Sequence, residues 1–480
     1  MIASVVCAAL MMPSQASKPN VIYILADDLG YGELGCYGQK VIQTPNIDRM
    51  AREGMLFTQH YSPSPVCAPT RCSVVTGQST RISQIRDNKE YGDFTADGIE
   101  GQEPLSAGTF TIGSLMKEAG YRTAMVGKWG LGGPESTGLP NDLGFDYFYG
   151  YLCQRQAHNY YPVHLWENKT KDILGNPKFN AHQAFPKDAD PNDPSAYAQY
   201  KGNVFSNDKM LEKTIKFIDE SGNKPFFVYF APTIPHVSLQ VPDDALNQYN
   251  GKIDEEPYLG NRGYLPHIRP KSAYAAMISR LDGYVGQIMD TLKKKGLDEN
   301  TLIMFTSDNG PTWVSGITPD MFDSASGLRG RKAQIWEGGI RIPMIARWPG
   351  KIKAATKTDL PSVQYDLMAT LSDLTGDSIK SETDGVTFLP TLLGKSQPSR
   401  NYIYWEFPSH QGAQAVRFGN FKAIRFNRGQ GEPLGQVFVY NLKTDPKETT
   451  DVAAQNPDIV RQAEIVFASR RPAHVPGWNW

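Results

Sequence analysis

Two apolar, β-branched runs, NVIYILA (20–26) and TLIMFTS (301–307), end on oxygen-bearing side chains: Asp27-Asp28 after the first, Asp308-Asn309 after the second. In an open α/β sheet the carboxyl ends of the strands border the crevice where ligands sit, so these four residues could meet although they are far apart in the chain. Three carboxylates and an amide oxygen suit a hard cation, Ca²⁺ or Mg²⁺, and no His/Cys grouping suggests zinc. Read singly, the same residues merely end strands, the common use of an Asp-Asn-Gly. A further candidate is Cys67, four residues before Arg71, where the loop SPSPV runs into a segment that can start a helix. Such a cysteine is a possible nucleophile or modified residue. It is also, in the ordinary case, a small buried hydrophobe beside a solvated arginine. Read singly, Lys128 and Lys332 are solvated surface lysines and His236 a satisfied loop histidine.

The chain that must position them is 480 residues long, enough for one large domain and a smaller one. Charged residues at 21% and hydrophobic ones at 40% are those of an ordinary globular protein, and the net charge of -1, without a dense basic cluster, argues against nucleic acid as a partner. Residues 1–16 (MIASVVCAALMMPSQA) are apolar from Ile2 to Met12 and close on Ser14-Gln15-Ala16. This pattern predicts a secretory signal peptide, although a basic n-region is missing, and export to the periplasm or beyond the cell. The run is too short to span a bilayer. Once it is removed four cysteines remain, and three if Cys67 is modified, too few for a disulfide framework though one bridge is possible.

Along the chain, the run at 20–26 reads as a strand buried on both faces. Thr44 is expected to cap a helix with Pro45 in its first turn, Ile47, Met50 and Ala51 on one face and Gly54 as the stop. A helix over 109–119 and a short strand over 123–126 follow. The stretch 134–200, rich in Gly, Pro, Asn and aromatics, reads as a long loop serving as lid or specificity insertion. A helix around Leu211, Ile215 and Ile218 precedes a strand at 225–230, and apolar positions from Tyr274 to Leu292 mark a long amphipathic helix. Helices alternating with apolar strands predict an α/β fold, a large mostly parallel sheet flanked by helices over 17–394. No G-x-G-x-x-G follows the first strand, which disfavours a dinucleotide fold. Residues 395–480 change texture, with four short antiparallel strands and a terminal helix, and read as a small α+β domain.

The blocks NVIYILADDLGYGELGCYG, TPNIDRMAREG, CAPTRCSVVTG, GYRTAMVGKWGLG, SDNG and RKAQIWEGGIRIP, in this order, resemble those of the type I sulfatases, whose signature is C-x-P-x-R. The resemblance implies an alkaline-phosphatase-like fold and a divalent cation, usually calcium. By motif, Asp27, Asp28, Asp308 and Asn309 would be its ligands. A fifth would be the Cα-formylglycine that a maturation enzyme makes from Cys67. Arg71 would hold that residue, while Lys128, His236 and Lys332 would grip the sulfate ester. A sulfate ester is a fully ionised anion, so a cation and two lysines offset the charge that repels a nucleophile. The hydrated aldehyde would attack sulfur with one hydroxyl, His236 or Lys332 would protonate the departing alcohol, and the second hydroxyl would then expel sulfate.

The chain departs from the family pattern at Gly130, where G-K-W-H-x-G is common, and at Glu33, where Asp is frequent. His158, His164 and His267, all in turn-rich segments, are candidates to replace the missing histidine. A sulfated carbohydrate is the expected substrate, framed by the aromatic loop 158–166 with His158 and Asn159 and by the region of His410. Two other readings share these residues: a formylglycine-dependent phosphonate monoester or phosphodiester hydrolase, and an inactive sulfated-glycan-binding protein whose Cys67 stays unmodified. Glu337 and Arg341 are expected to pair structurally.

Overall fold

The computed structural model describes residues 18–92, 99–409, 412–427 and 434–469, so the signal-peptide expectation at 1–16 and the sugar contact expected of His410 lie outside the described residues. In chain order the strands are β1 (Asn20–Ala26), β2 (Met55–Tyr61), the short hairpin β3 (Glu90–Gly92) and β4 (Glu100–Gln102), β5 (Arg122–Lys128), β6 (Tyr147–Tyr151), β7 (His164–Glu167), β8 (Thr170–Ile173), β9 (Phe226–Ala231), β10 (Thr301–Ser307), β11 (Arg341–Arg347), β12 (Thr356–Thr358) and β13 (Ser362–Val363). The large sheet runs β12-β2-β11-β10-β1-β9-β5-β6-β7-β8, with β13 beside β2. Its centre, β10-β1-β9-β5-β6, is parallel, and antiparallel pairs extend it on either side.

Side chains of β1 alternate strictly between two cores. Ile22, Ile24 and Ala26 join one, with the long helix over Pro270–Lys294 and the helix over Ser206–Asp219. Val21, Tyr23 and Leu25 join the other, with the helices over Ile112–Glu118 and Asp366–Thr375. Apolar side chains on both faces are what a doubly covered parallel strand requires, and they explain the unbroken hydrophobic run. The register places Ala26 opposite Ser307, so Asp27-Asp28 and Asp308-Asn309 leave the sheet side by side.

Two local expectations change. The stretch 134–200 is not all loop: β6, β7 and β8 lie in it and form one end of the sheet. β6 (YFYGY) is aromatic but short and broken by Gly150, and β7 and β8 are only partly apolar, so period-2 patterning is weak there. Thr44 precedes the helix over Pro45–Arg52 but its side chain caps nothing. It accepts instead from Gly35 N–H, while Asp282, from the long helix, accepts from Asn46 and Ile47 N–H at 2.9 and 2.7 Å.

The C-terminal part carries an antiparallel sheet, β14 (Ile403–Phe407), β15 (Ala413–Phe418), β16 (Phe421–Asn427) and β17 (Leu434–Asn441). One face (Tyr404, Val416, Ala423, Val439) is covered by the helix over Pro457–Ala468. The other (Ile403, Trp405, Ala415, Ile424) packs on Tyr61, Ile340 and Val363 of the main body. Buried Lys422 ties the two parts, its Nζ 3.1 Å from Glu337 Oε1 and 2.9 Å from Glu448 Oε1. Glu337 also lies 3.7 Å from Arg341. The four described cysteines, Cys36, Cys67, Cys72 and Cys153, are all free. Among the described residues no helix is long and apolar enough to cross a membrane.

Candidate active site

Five segments converge at the carboxyl ends of β10, β1, β9 and β5. Asp27-Asp28 and Asp308-Asn309 follow β1 and β10, Lys128 is the last residue of β5, His236 lies in the loop after β9, and Lys332 in the loop before β11. Into this crevice points the N-terminus of the helix over Cys67–Thr76, in which all ten residues are buried. Cys67 is its first residue, and the Cys67 thiol lies 3.4 Å from Asp27 Oδ1 and 3.9 Å from Asp28 Oδ1.

Arg71, one turn further on, donates to Asp308 Oδ2 at 2.8 Å and to the Lys128 carbonyl at 2.6 Å, and lies 3.4 Å from Asp27 Oδ2. Removing one partner of so deeply buried a pair costs about 3–5 kcal/mol, so Arg71 holds the scaffold as well as the site. The two lysines stand on different carboxylates: Lys128 donates to Asp27 Oδ2 and Lys332 to Asp28 Oδ2, each at 2.8 Å. His236 Nε2 is 3.6 Å from Asp28 Oδ2, and its Nδ1 donates to the Val237 carbonyl.

Charge and burial act against each other here. Burial raises the Asp27 carboxyl, but Lys128, His236, Arg71 and Lys332 together hold it well below the usual range. Burial and neighbouring Asp27 push Asp308 up to about 7, against the pull of Arg71. Burial, with Asp308, also raises the Cys67 thiol. An unmodified Cys67 is therefore a neutral thiol and a poor nucleophile.

The donor set fits a hard cation. Ligand atoms of Asp27, Asp28, Cys67 and His236 lie within 4.8 Å of one another. Asn309 Nδ2 donates to Asp28 Oδ1 and to the Gly310 carbonyl, while its Oδ1 is buried without a hydrogen-bond partner among the described residues. A buried amide oxygen left unpaired is costly, and a cation satisfies it. Asp308 joins by accepting from Asp28 N–H at 3.0 Å. His236 thus stands among the atoms that could hold the ion, where the sequence pointed to a sulfate contact and a proton donor.

Glu33, where the family commonly has Asp, is buried away from this set. It accepts from Gly30 N–H and Tyr274 O–H at 2.6 and 2.8 Å and holds the turn that follows Asp27-Asp28.

The outer residues divide. His158 stacks on His236 with centroids 4.9 Å apart, donates to or accepts from His182 at 2.9 Å, and packs with Tyr264. Asn159 is half-buried, its Oδ1 accepting from Tyr161 N–H. His164 is held by Glu100 at 2.6 Å, and His267 forms a backbone bridge with Tyr258. None of these histidines fills the space that a side chain at Gly130 would take. Gln154 does: a Cβ at Gly130 would lie 2.8 Å from Gln154 Cγ. Gln154 also donates to Asn88 Oδ1, which accepts from Ala68 N–H beside Cys67. Neither Gln154 nor Tyr264 belongs to a motif with chemical content, so spacing could not single them out.

Gly130 also has φ +75°, a left-handed conformation costly for other residues. Gly130→His should therefore destabilise the protein by on the order of 1–3 kcal/mol, read as a lower denaturant midpoint. Gly130→His/Gln154→Ala should recover part of this loss by making room. An unchanged midpoint in the single variant would show that the space is open.

A sheet with a parallel centre, covered on both faces, thus carries at its strand ends a set of charged and oxygen-bearing side chains that could hold a metal ion, with a buried cysteine at a helix start. Residues 19–377 match the Sulfatase family and residues 331–465 the C-terminal family of N-sulphoglucosamine sulphohydrolase. The chain belongs to the sulfatase family and is a sulfuric ester hydrolase. It is 29% identical to an N-acetylgalactosamine-6-O-sulfatase of Bacteroides thetaiotaomicron, over 95% of this chain and 93% of that one. Human arylsulfatase A is 31% identical, over 93% and 86%. The crystal structure of Ps i-CgsB in complex with k-i-k-neocarrahexaose superposes with a TM-score of 0.74 at 25% identity, covering 96% of this chain and 95% of that one.

Proposed function

We propose that the protein is an exported, calcium-dependent sulfatase that removes sulfate from a carbohydrate through a formylglycine made from Cys67. The observation that carries the reading is the Cys67 side chain 3.4 Å from Asp27 at the start of a buried helix, inside the carboxylate set. The partition into a catalytic unit over 17–394 and a C-terminal unit over 395–480 belongs to the same proposal. So does export, which rests on the apolar start of the chain.

The roles follow from placement. Asp27, Asp28, Asp308 and Asn309 would hold the cation, which offsets ester charge and activates the hydrated aldehyde at position 67. Arg71 orients residue 67 through Asp308 and Asp27. Lys128, almost wholly buried, neutralises the non-bridging oxygens. Lys332, 15% exposed, stands nearest the mouth and is placed to give its proton to the departing oxygen. With Nδ1–H held by Val237, His236 offers the Nε2 lone pair to the site and accepts a proton there. A carbohydrate substrate is supported by the names of the relatives, an N-acetylgalactosamine-6-O-sulfatase among them.

The test is the rate on matched aryl esters together with metal content. Purified from a host that matures Cys67, the enzyme should retain calcium on dialysis and hydrolyse 4-nitrophenyl sulfate at least about a hundredfold faster than the matched phosphonate monoester. Faster turnover of the phosphonate would replace this reading with the phosphonate hydrolase one.

A further inference from the structure

Beside the crevice, a second cleft lies between the loop before β11 and the C-terminal sheet, lined by Trp313, Arg331, Lys332, Trp336, Phe407 and Phe426. Lys332 belongs to both clefts, because its Nζ reaches Asp28. Lys332 N–H donates to the Pro311 carbonyl, so the segment after Asp308-Asn309, which carries Trp313, is pinned against the segment carrying Arg331.

Trp313 is 39% exposed, uncommon for so large an apolar side chain. The Arg331 guanidinium sits 4.3 Å from the centre of its ring. Arg331 is half-buried and, among the described residues, its guanidinium pairs with no carboxylate and makes no hydrogen bond. This sets it apart from Arg71, Arg86, Arg280, Arg347 and Arg400, each of which has an acidic partner. A guanidinium held in place by an aromatic face with its fork unused is prepared for a planar oxyanion. The exposed indole offers a flat apolar surface suited to the C–H face of a sugar ring.

We propose that this cleft is a subsite for the sugar next to the sulfated one, with Trp313 as its stacking platform and Arg331 binding an anionic group on that neighbour. The natural substrate is then a sulfated oligosaccharide bearing a second oxyanion, a carboxylate or another sulfate, on the adjacent residue. This rests on the carbohydrate reading above and extends it, since that reading places only the sulfate being removed.

Binding to the Cys67→Ala protein tests the subsite without turnover. Calorimetric titration would use three oligosaccharides of equal length that share a terminal sulfated sugar and differ in the neighbour: neutral, carboxylated or sulfated. At least one charged neighbour should bind about 10- to 100-fold more tightly than the neutral one, and the arm that gains identifies the oxyanion. Arg331→Ala should erase the difference, and Arg331→Lys should restore only part of it, because an ammonium lacks the fork. Trp313→Ala should weaken all three ligands alike, with Trp313→Phe retaining most of the affinity. Equal affinities for the three in the Cys67→Ala protein, or an undiminished preference after Arg331→Ala, would overturn the subsite. Failure of the matured parent to hydrolyse any sulfate ester would instead overturn the functional reading, and the titration still judges the cleft.

Discussion

Cys67→Ala is expected to fold, to bind its cation, and to lose turnover by on the order of 10⁴–10⁶ in kcat, the range for removing a nucleophile from a pre-organised site. Folding should survive because the change deletes one sulfur from the first turn of a helix otherwise held by its neighbours. Ala68 N–H still donates to Asn88, and Arg71 still ties the helix to Asp308. Chemistry should not survive, because among the described residues no other side chain near Asp27 is a free nucleophile. Lys128 and Lys332 are committed to carboxylates and His236 contacts Asp28. The assay is kcat on 4-nitrophenyl sulfate, paired with the intact mass of the parent, which should be about 18 Da below the encoded value if Cys67 has become formylglycine. Parental turnover in the Ala variant would remove Cys67 from the mechanism. A parent carrying an unmodified thiol and showing no turnover would agree with the suppressed ionisation of that thiol, since burial and Asp308 keep it protonated.

The second large effect is expected at Asp28. Its carboxylate meets Lys332, His236, Asn309 and the Cys67 thiol. Asp28 has φ 64°, a left-handed conformation that Asn tolerates better than other non-glycine residues. Asp28→Asn therefore keeps the backbone and the side-chain volume while deleting the charge. Without it the site holds too little negative charge for a divalent cation, and Lys332 loses the carboxylate that places it. Metal content after dialysis should fall far below stoichiometric, and kcat should drop about a thousandfold or more. Stoichiometric calcium together with parental kcat would exclude Asp28 from the cation site.

Much of this molecule was written locally. Strands β1, β9 and β10 are recognisable because burial on both faces demands unbroken apolar runs, and the long helix over Pro270–Lys294 because one face repeats at helical spacing. The C-terminal strands alternate between two cores and were equally legible. The oxygen-bearing side chains proposed as ligands are legible because they follow such strands directly, and the sheet's register brings them side by side. Strands β6, β7 and β8 are not legible: β6 is buried but only five residues long and interrupted by Gly150, and β7 and β8 lie at a partly exposed sheet end that needs no apolar pattern.

What the tertiary structure alone decided are contacts between segments with no common period or motif. The first turn of the helix over Pro45–Arg52 is satisfied by Asp282, not by the adjacent Thr44. The space at Gly130 is taken by Gln154, not by a histidine, and His236 enters the ligand set by the course of the loop after β9. Arg331 lies over Trp313 because a backbone hydrogen bond from Lys332 to Pro311 joins their loops. The sequence by itself determines which elements form and what chemistry their ends can carry, because periodicity and chain adjacency are local. It does not determine which distant side chain fills a gap or keeps an unpaired charge, because packing and hydrogen-bond geometry arise only when the segments meet in space.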